Sequence, residues 1–211
     1  MALTLCEATE SDANRIADIH MAAFGSNLML LAQFPNPSVR KELWVSLVNK
    51  TIGEIRDPKW AVLLVRDENG EIVSFAKWCL PIHVSENYVE SPWEWPEGTD
   101  MKVLNEWTEI VENAERKVLG DEPCYRLSFM GTDPKHERRG AASLLLKWGI
   151  ERSNAENVPI ALEGTKNAAL FYEHHGFKAE KHISIVLNGF RNYEETCYVF
   201  RPSNQTADLK S

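Results

Sequence analysis

An apolar run from Tyr125 to Met130 passes into a polar turn carrying Pro134. It tightens at Arg138-Arg139-Gly140-Ala141-Ala142 and resumes at once as an apolar helix pattern through Leu144, Leu145 and Leu146. Such a strand–turn–helix junction aims backbone N–H groups outward at the positive end of a helix, which is an anion site. Gly140 lets a phosphate approach the backbone, while Ala141 and Ala142 add almost no bulk and Ser143 stays small. Arg138 and Arg139 supply guanidinium groups suited to phosphate. The pattern leads us to expect a loop that holds a diphosphate.

Neither common nucleotide fingerprint is present: the chain holds no G-x-G-x-x-G and no G-x-x-x-x-G-K-[ST]. The segment Glu137-Arg138-Arg139-Gly140-Ala141-Ala142 instead resembles the coenzyme A loop of the GNAT acyltransferase superfamily, Gln/Arg-x-x-Gly-x-Gly/Ala. Glu137 departs from the family's Gln or Arg. Downstream, Val158 to Gly164 reads as a strand and Lys166 to His175 as a short helix closed by Gly176-Phe177. The run Leu170-Phe171-Tyr172-Glu173-His174-His175-Gly176-Phe177 is similar to the family's Leu-Tyr-Glu-x-x-Gly-Phe signature, with Phe171 inserted before the tyrosine. Thr165 stands where relatives often place Asn or Ser.

The rest of the chain fits that frame. Leu3 to Ala8 alternates as a strand, Thr9 to Asp12 resembles a capping box, and Ala13 to Phe24 recurs at helical spacing. Asn36-Pro37-Ser38 opens a second helix. Trp60 to Val65 and Ile72 to Leu80 form a hairpin about Asp67-Glu68-Asn69-Gly70. A Trp- and Pro-rich loop, Ser85 to Gly98, precedes a third helix with an apolar stripe from Val103 to Val118 and Gly120 as its stop. Two final strands, roughly His182 to Leu187 and Glu195 to Phe200, flank Asn188 to Tyr193. A hairpin followed by βαβα units predicts an α/β (α+β) fold, with a mixed, mainly antiparallel twisted sheet and helices on both faces. The resemblance implies central strands that splay apart to admit a pantetheine arm. We expect one domain over residues 1–201, with an inserted loop and helix at about 81–123, and a polar tail over 202–211.

Composition sets outer bounds. With 211 residues, 44% hydrophobic and 26% charged, the chain can bury a sizeable core. A net charge of −8 disfavours nucleic acid as a partner. No apolar run reaches bilayer length and the N-terminus lacks signal-peptide features, so the expectation is a cytoplasmic protein without a membrane partner. Cys6, Cys79, Cys124 and Cys197 never form a C-x-x-C pair, which argues against zinc and against disulfides. Adjacent His174 and His175 face different ways on a helix and lack a third ligand, so no metal site is expected.

The resemblance implies acyl transfer from acetyl-CoA, the acyl-donor cosubstrate, to an amine. That chemistry needs a neutral amine, a polarised carbonyl and a protonated departing thiolate. It places backbone groups of Met130, Gly131 and Thr132 beside the pantetheine, and the Arg138–Ser143 loop on the diphosphate. Tyr172 matches the family's general acid; the plain alternative is a core aromatic. Glu163 is the first candidate base, or else the partner of a nearby cation, and His83 is the second. The acceptor pocket should draw on Asn27, Phe34, Trp93, Trp95, Phe190 and Tyr193, or these are ordinary loop anchors. The third helix packs into the core or forms a homodimer contact.

The leading expectation is therefore an N-acetyltransferase acting on a small-molecule primary amine, as a monomer or homodimer. A protein lysine or N-terminal amine acceptor, O-acylation, a longer acyl group, a non-catalytic acyl-CoA sensor and, more distantly, a nucleotide-binding protein stay open.

Overall fold

The computed structural model describes residues 2–187 and 191–202. Along the chain run β1 (Thr4–Glu7), α1 (Ala13–Phe24), α2 (Leu28–Gln33), α3 (Pro37–Arg56), β2 (Trp60–Arg66), β3 (Ile72–Cys79), α4 (Met101–Leu119) and β4 (Tyr125–Thr132). They are followed by α5 (Ala141–Glu156), β5 (Ile160–Gly164), α6 (Ala169–His174), β6 (Lys178–Leu187) and β7 (Arg191–Phe200). The strands form one sheet in the order β1-β2-β3-β4-β5-β7-β6. Every neighbouring pair is antiparallel except β4 and β5.

β2 reads as an unbroken apolar run because both of its faces are covered. Leu63 and Val65 join Ala76 and Trp78 of β3 beneath α5, where Leu145 and Leu146 are fully buried. Val62 and Leu64 face the other way, onto Ile16 and Ile19 of α1 and Phe75 of β3. The two helical layers follow from this alternation: α5 and α6 cover one face, and α1 to α4 the other. At Gly149 a Cβ would run into the Trp78 ring, so glycine is what lets α5 lie close to the sheet.

The turn chemistry works locally. Asp67 Oδ1 accepts the N–H groups of Asn69 and Glu71 at 2.9 and 3.0 Å, and Gly70 takes a φ of +80° to close the β2–β3 hairpin. Asp100 Oδ1 accepts Val103 N–H at 3.1 Å to start α4. In the expected capping box, Thr9 N–H donates to Asp12 Oδ2 at 2.8 Å, and a short 3-10 turn there leads into α1.

Some boundaries differ from the sequence expectation. The connection between the first two expected helices contains a further helix, α2, capped where Asn27 Oδ1 accepts Met29 N–H at 2.8 Å. β6 begins at Lys178, because its first residues form an exposed stretch at the sheet edge where no apolar alternation is required. β7 likewise begins at Arg191. The expected tail beyond Pro202 and the loop residue Phe190 lie outside the described residues. Among the described residues no helix is long and apolar enough to cross a membrane.

α4, from the expected insertion, lies across the β6–β7 hairpin, with Val103, Trp107 and Ile110 packed on Ile185, Leu187 and Tyr193. Nearer its end Val118 and Leu119 meet Ala161, Cys197 and Val199. This helix therefore roofs the sheet face on which β5 and β7 present Glu163 and Glu195.

Candidate active site

The loop after β4 is pinned from two sides. Asp133 Oδ1 accepts Lys135 N–H at 3.0 Å, and its Oδ2 accepts Arg15 Nη2 at 2.7 Å. Arg15 Nε also donates to the Ile72 carbonyl at 3.1 Å, tying the loop to α1 and β3. Burial opposes the Asp133 charge, but these hydrogen bonds outweigh it and hold the carboxyl below its usual range. The chain then turns through two left-handed residues, Arg138 at φ +62° and Gly140 at φ +92°, and α5 starts at Ala141. The N–H groups of Ala141, Ala142 and Ser143 open this helix and have no partner within it. A Cβ at Gly140 would meet nothing within 4 Å, so the approach to those N–H groups is open. Glu137, Arg138 and Arg139 are exposed around it, and Arg139 Nη2 donates to the Lys135 carbonyl at 3.2 Å. This geometry fits a diphosphate and gives the exposed Glu137 carboxylate freedom to turn away.

Next to it, β4 and β5 part. Their parallel pairing covers Tyr125↔Ile160 and Arg126↔Ala161 only, although β4 runs on to Thr132 and β5 to Gly164. Just past the last pair, β4 carries an extra residue, Ser128, because Lys77 pairs with Phe129 while Trp78 pairs with Leu127. A bulge of this kind bends the strand and re-aims its peptide groups. Met130 pairs with Ala76 beyond the bulge. Gly131 is there for packing as well: a Cβ would sit 2.9 Å from the Phe75 ring. Ser74 Oγ donates to the Gly131 carbonyl at 2.8 Å and lies 2.8 Å from Thr132 Oγ1, which stiffens the strand end.

Glu163 and Tyr172 approach the opening from opposite faces of β5. Glu163 pairs with Cys197 of β7, and burial pushes its carboxyl up to about 7. Arg126 draws it down, while Glu115 and Glu195 push it further up. Arg126 is held by Glu115 at 2.8 Å, so its charge is shared, and Glu163 Oε1 is buried without a hydrogen-bond partner. Tyr172 is buried on α6 between Phe177 and Tyr198. Its ring fits because residue 164 is glycine; a Cβ there would lie 2.8 Å from Tyr172 Cε2. Burial raises the phenol above its usual range, as do the carboxylates of Glu195 and Glu163. Thr165 caps the 3-10 turn before α6, and its carbonyl accepts Ala168 N–H at 2.9 Å.

The expected acceptor wall divides in two. Asn27 Nδ2 donates to Tyr193 Oη at 3.1 Å, Tyr193 Oη donates to Glu195 Oε1, and Trp107 sets its edge on the Tyr193 ring 5.3 Å away. Phe34, Trp93 and Trp95 form a separate aromatic stack against α3; Trp93 and Trp95 lie 4.1 Å apart, and Trp93 meets Phe129 of β4 edge-on at 6.2 Å. His83 is exposed, donates its N–H to Glu86 Oε1 at 2.9 Å, and has no hydrogen bond or ion pair to Glu163 or Tyr172 among the described residues.

The sequence matches the acetyltransferase (GNAT) family over residues 27–177. The chain belongs to the GNAT acetyltransferase family. Its fold agrees. A histone acetyltransferase HPA2 and related acetyltransferase from Corynebacterium glutamicum superimposes with a TM-score of 0.68 at 21% identity, over 96% of this chain and 98% of that one. The C-terminal condensation domain of Ebony, in complex with beta-alanyl-dopamine, gives 0.71 at 14% identity, over 95% and 99%. A polyamine N-acetyltransferase from Drosophila melanogaster gives 0.59 at 11% identity, over 95% and 100%. No curated protein matches the sequence significantly. Within this GNAT frame the sequence reading missed Glu195. The signal was a charged residue at an inward position of the alternation Tyr193, Glu195, Cys197, Val199.

Proposed function

We propose that the protein transfers an acetyl group directly from acetyl-CoA to the nitrogen of a small-molecule primary amine. The observation that carries this reading is the parting of β4 and β5 after two paired residues, beside an open helix N-terminus at Gly140. The slot suits an extended thioester arm, and the loop from Arg138 to Ser143 suits the diphosphate at its end. Met130, Gly131 and Thr132 line the approach. Residues 81–123 then serve as a wall over the acceptor.

Each proton has a place in this scheme. The acceptor enters as R–NH3+ and gives one proton to Glu163, whose raised carboxyl is matched to that task near neutral pH. The amine lone pair forms the C–N bond, and the C–S bond of the thioester breaks. Tyr172 donates its phenolic proton to the departing sulfur and is restored by the second proton lost from nitrogen. The sum is amine plus thioester giving amide plus free thiol, with one proton released from the ammonium form.

Thiol release from acetyl-CoA in the presence of a panel of primary amines tests the reading. Tyr172→Phe is expected to lower kcat by roughly 10²-fold while leaving the KM for acetyl-CoA within a few-fold. Unchanged kcat would remove the general-acid role, and no thiol release with any amine would remove the activity.

A further inference from the structure

Glu195 is a carboxylate in want of a cation. Its side chain points to the same face as Glu163, because Glu163 pairs with Cys197 and Glu195 lies two residues before it on β7. Its hydrogen-bond state is fixed by a chain of donors. Asn27 Oδ1 accepts Met29 N–H, so the amide of Asn27 must present Nδ2 to Tyr193 Oη. With its oxygen accepting there, Tyr193 turns its own proton to Glu195 Oε1. The fold thus spends a buried tyrosine and a helix cap on orienting one carboxylate.

Among the described residues no Lys, Arg or His forms an ion pair with Glu195. Glu163 beside it has a buried Oε1 without a hydrogen-bond partner among the described residues, and Arg126, the cation that draws its carboxyl down, is already held by Glu115. Two half-buried carboxylates on one sheet face with no ion-paired cation between them are costly unless something else supplies the charge. The apolar rim, Met29 and Trp107 around Tyr193, contributes no charge.

We infer that Glu195, oriented by Tyr193 and Asn27, binds the ammonium group of the acceptor and presents it to Glu163, so that the acceptor is a primary alkylammonium with no carboxylate beside its nitrogen. This deepens the proposed acetyl transfer and rests on it. Glu195, its other oxygen free of Tyr193, takes a hydrogen bond from the cation, and Glu163 takes the proton that frees the lone pair. A carboxylate on the α-carbon would be set against both glutamates, so α-amino acids are rejected.

The test compares alkylamines with α-amino acids of matching side chain, on the parent protein and on Glu195→Gln and Glu195→Asp. The parent should acetylate the alkylamines and discriminate against the amino acids. Glu195→Gln should raise the alkylamine KM by roughly 10- to 100-fold, the loss of a hydrogen bond to a charged group. The KM for acetyl-CoA should stay unchanged and the Tm should not fall, since no ion pair is lost and a Gln oxygen still accepts the Tyr193 hydroxyl. Glu195→Asp should recover part of the affinity. An unchanged alkylamine KM in Glu195→Gln, or amino acids acetylated as well as alkylamines, overturns the inference while leaving acetyl transfer standing. A parent protein that binds no acetyl-CoA overturns both.

Discussion

Glu163→Gln is expected to lower turnover by roughly 10²- to 10⁴-fold, the usual contribution of a positioned proton acceptor. The change keeps the shape of the side chain, so acetyl-CoA affinity should be retained. In the parent protein kcat/KM should rise with pH through about 7, the value to which burial pushes this carboxyl, because only the ionised form accepts a proton. In the variant that limb should disappear. Stability moves the opposite way. The folded-state value of about 7 lies above the ordinary 4.5, so between these pH values the folded protein holds a proton that the unfolded chain has released. Stability therefore falls as pH rises across that window and stays lower above it. Gln carries no such penalty, and the variant should melt later than the parent at pH 8, by up to about 3 kcal/mol, with the gap closing towards pH 4. Thermal melts at the two pH values and a pH–rate profile check both halves. A retained rise through about pH 7 in the variant would assign the proton to another group.

Lys77→Met is expected to destabilise the fold by about 3–5 kcal/mol without touching the site. Lys77 sits mid-strand in β3 at 1% exposure, with Nζ 2.6 Å from Glu54 Oε2, and Glu54 is itself 3% exposed. Lys77 Nζ also donates to Thr51 Oγ1 at 2.7 Å. Burial raises the Glu54 carboxyl above its usual range, and Lys77 and then Lys50 hold it down. Without Lys77 the remaining cation is Lys50, 3.9 Å away, and the carboxyl climbs further. A carboxyl raised in the folded state loses stability as pH rises, so the deficit should be largest above neutral pH and shrink towards acid. Near neutral pH the loss corresponds to roughly 10 °C in Tm. The double variant Lys77→Met/Glu54→Leu should recover most of it, since an apolar pair replaces a buried ion pair at little cost. If the double variant melts no higher than the single one, the damage lies in packing and not in the orphaned charge.

What the sequence disclosed was local. The Gly140 loop could be read because strand, turn and helix follow within a few residues: an apolar run, a polar turn carrying Pro134, a glycine that admits a phosphate, and small residues opening the helix. Tyr172 and Gly164 could be named separately. That one exists to make room for the other emerged only from packing. Helix α2 went unread because six residues, Leu28–Gln33, are too few to display a helical period. Glu195 went unread because its neighbours come from far away in sequence. Its place beside Glu163 depends on the register of β5 against β7, and its orientation on Asn27. Charge at an inward strand position marks where a partner must be supplied: Glu54 for Lys77, and Tyr193 with the proposed substrate cation for Glu195.

The coenzyme site is tested most directly by calorimetric titration of the purified protein with acetyl-CoA, repeated on Gly140→Glu. Residue 140 opens onto the first N–H groups of α5 with free space around it but at φ +92°, so a glutamate there would both strain the turn and set its carboxylate where the diphosphate is proposed to lie. Saturable binding by the parent, lost in a variant that still unfolds cooperatively, is the predicted result. No binding by the parent, or equal binding by the folded variant, would contradict it.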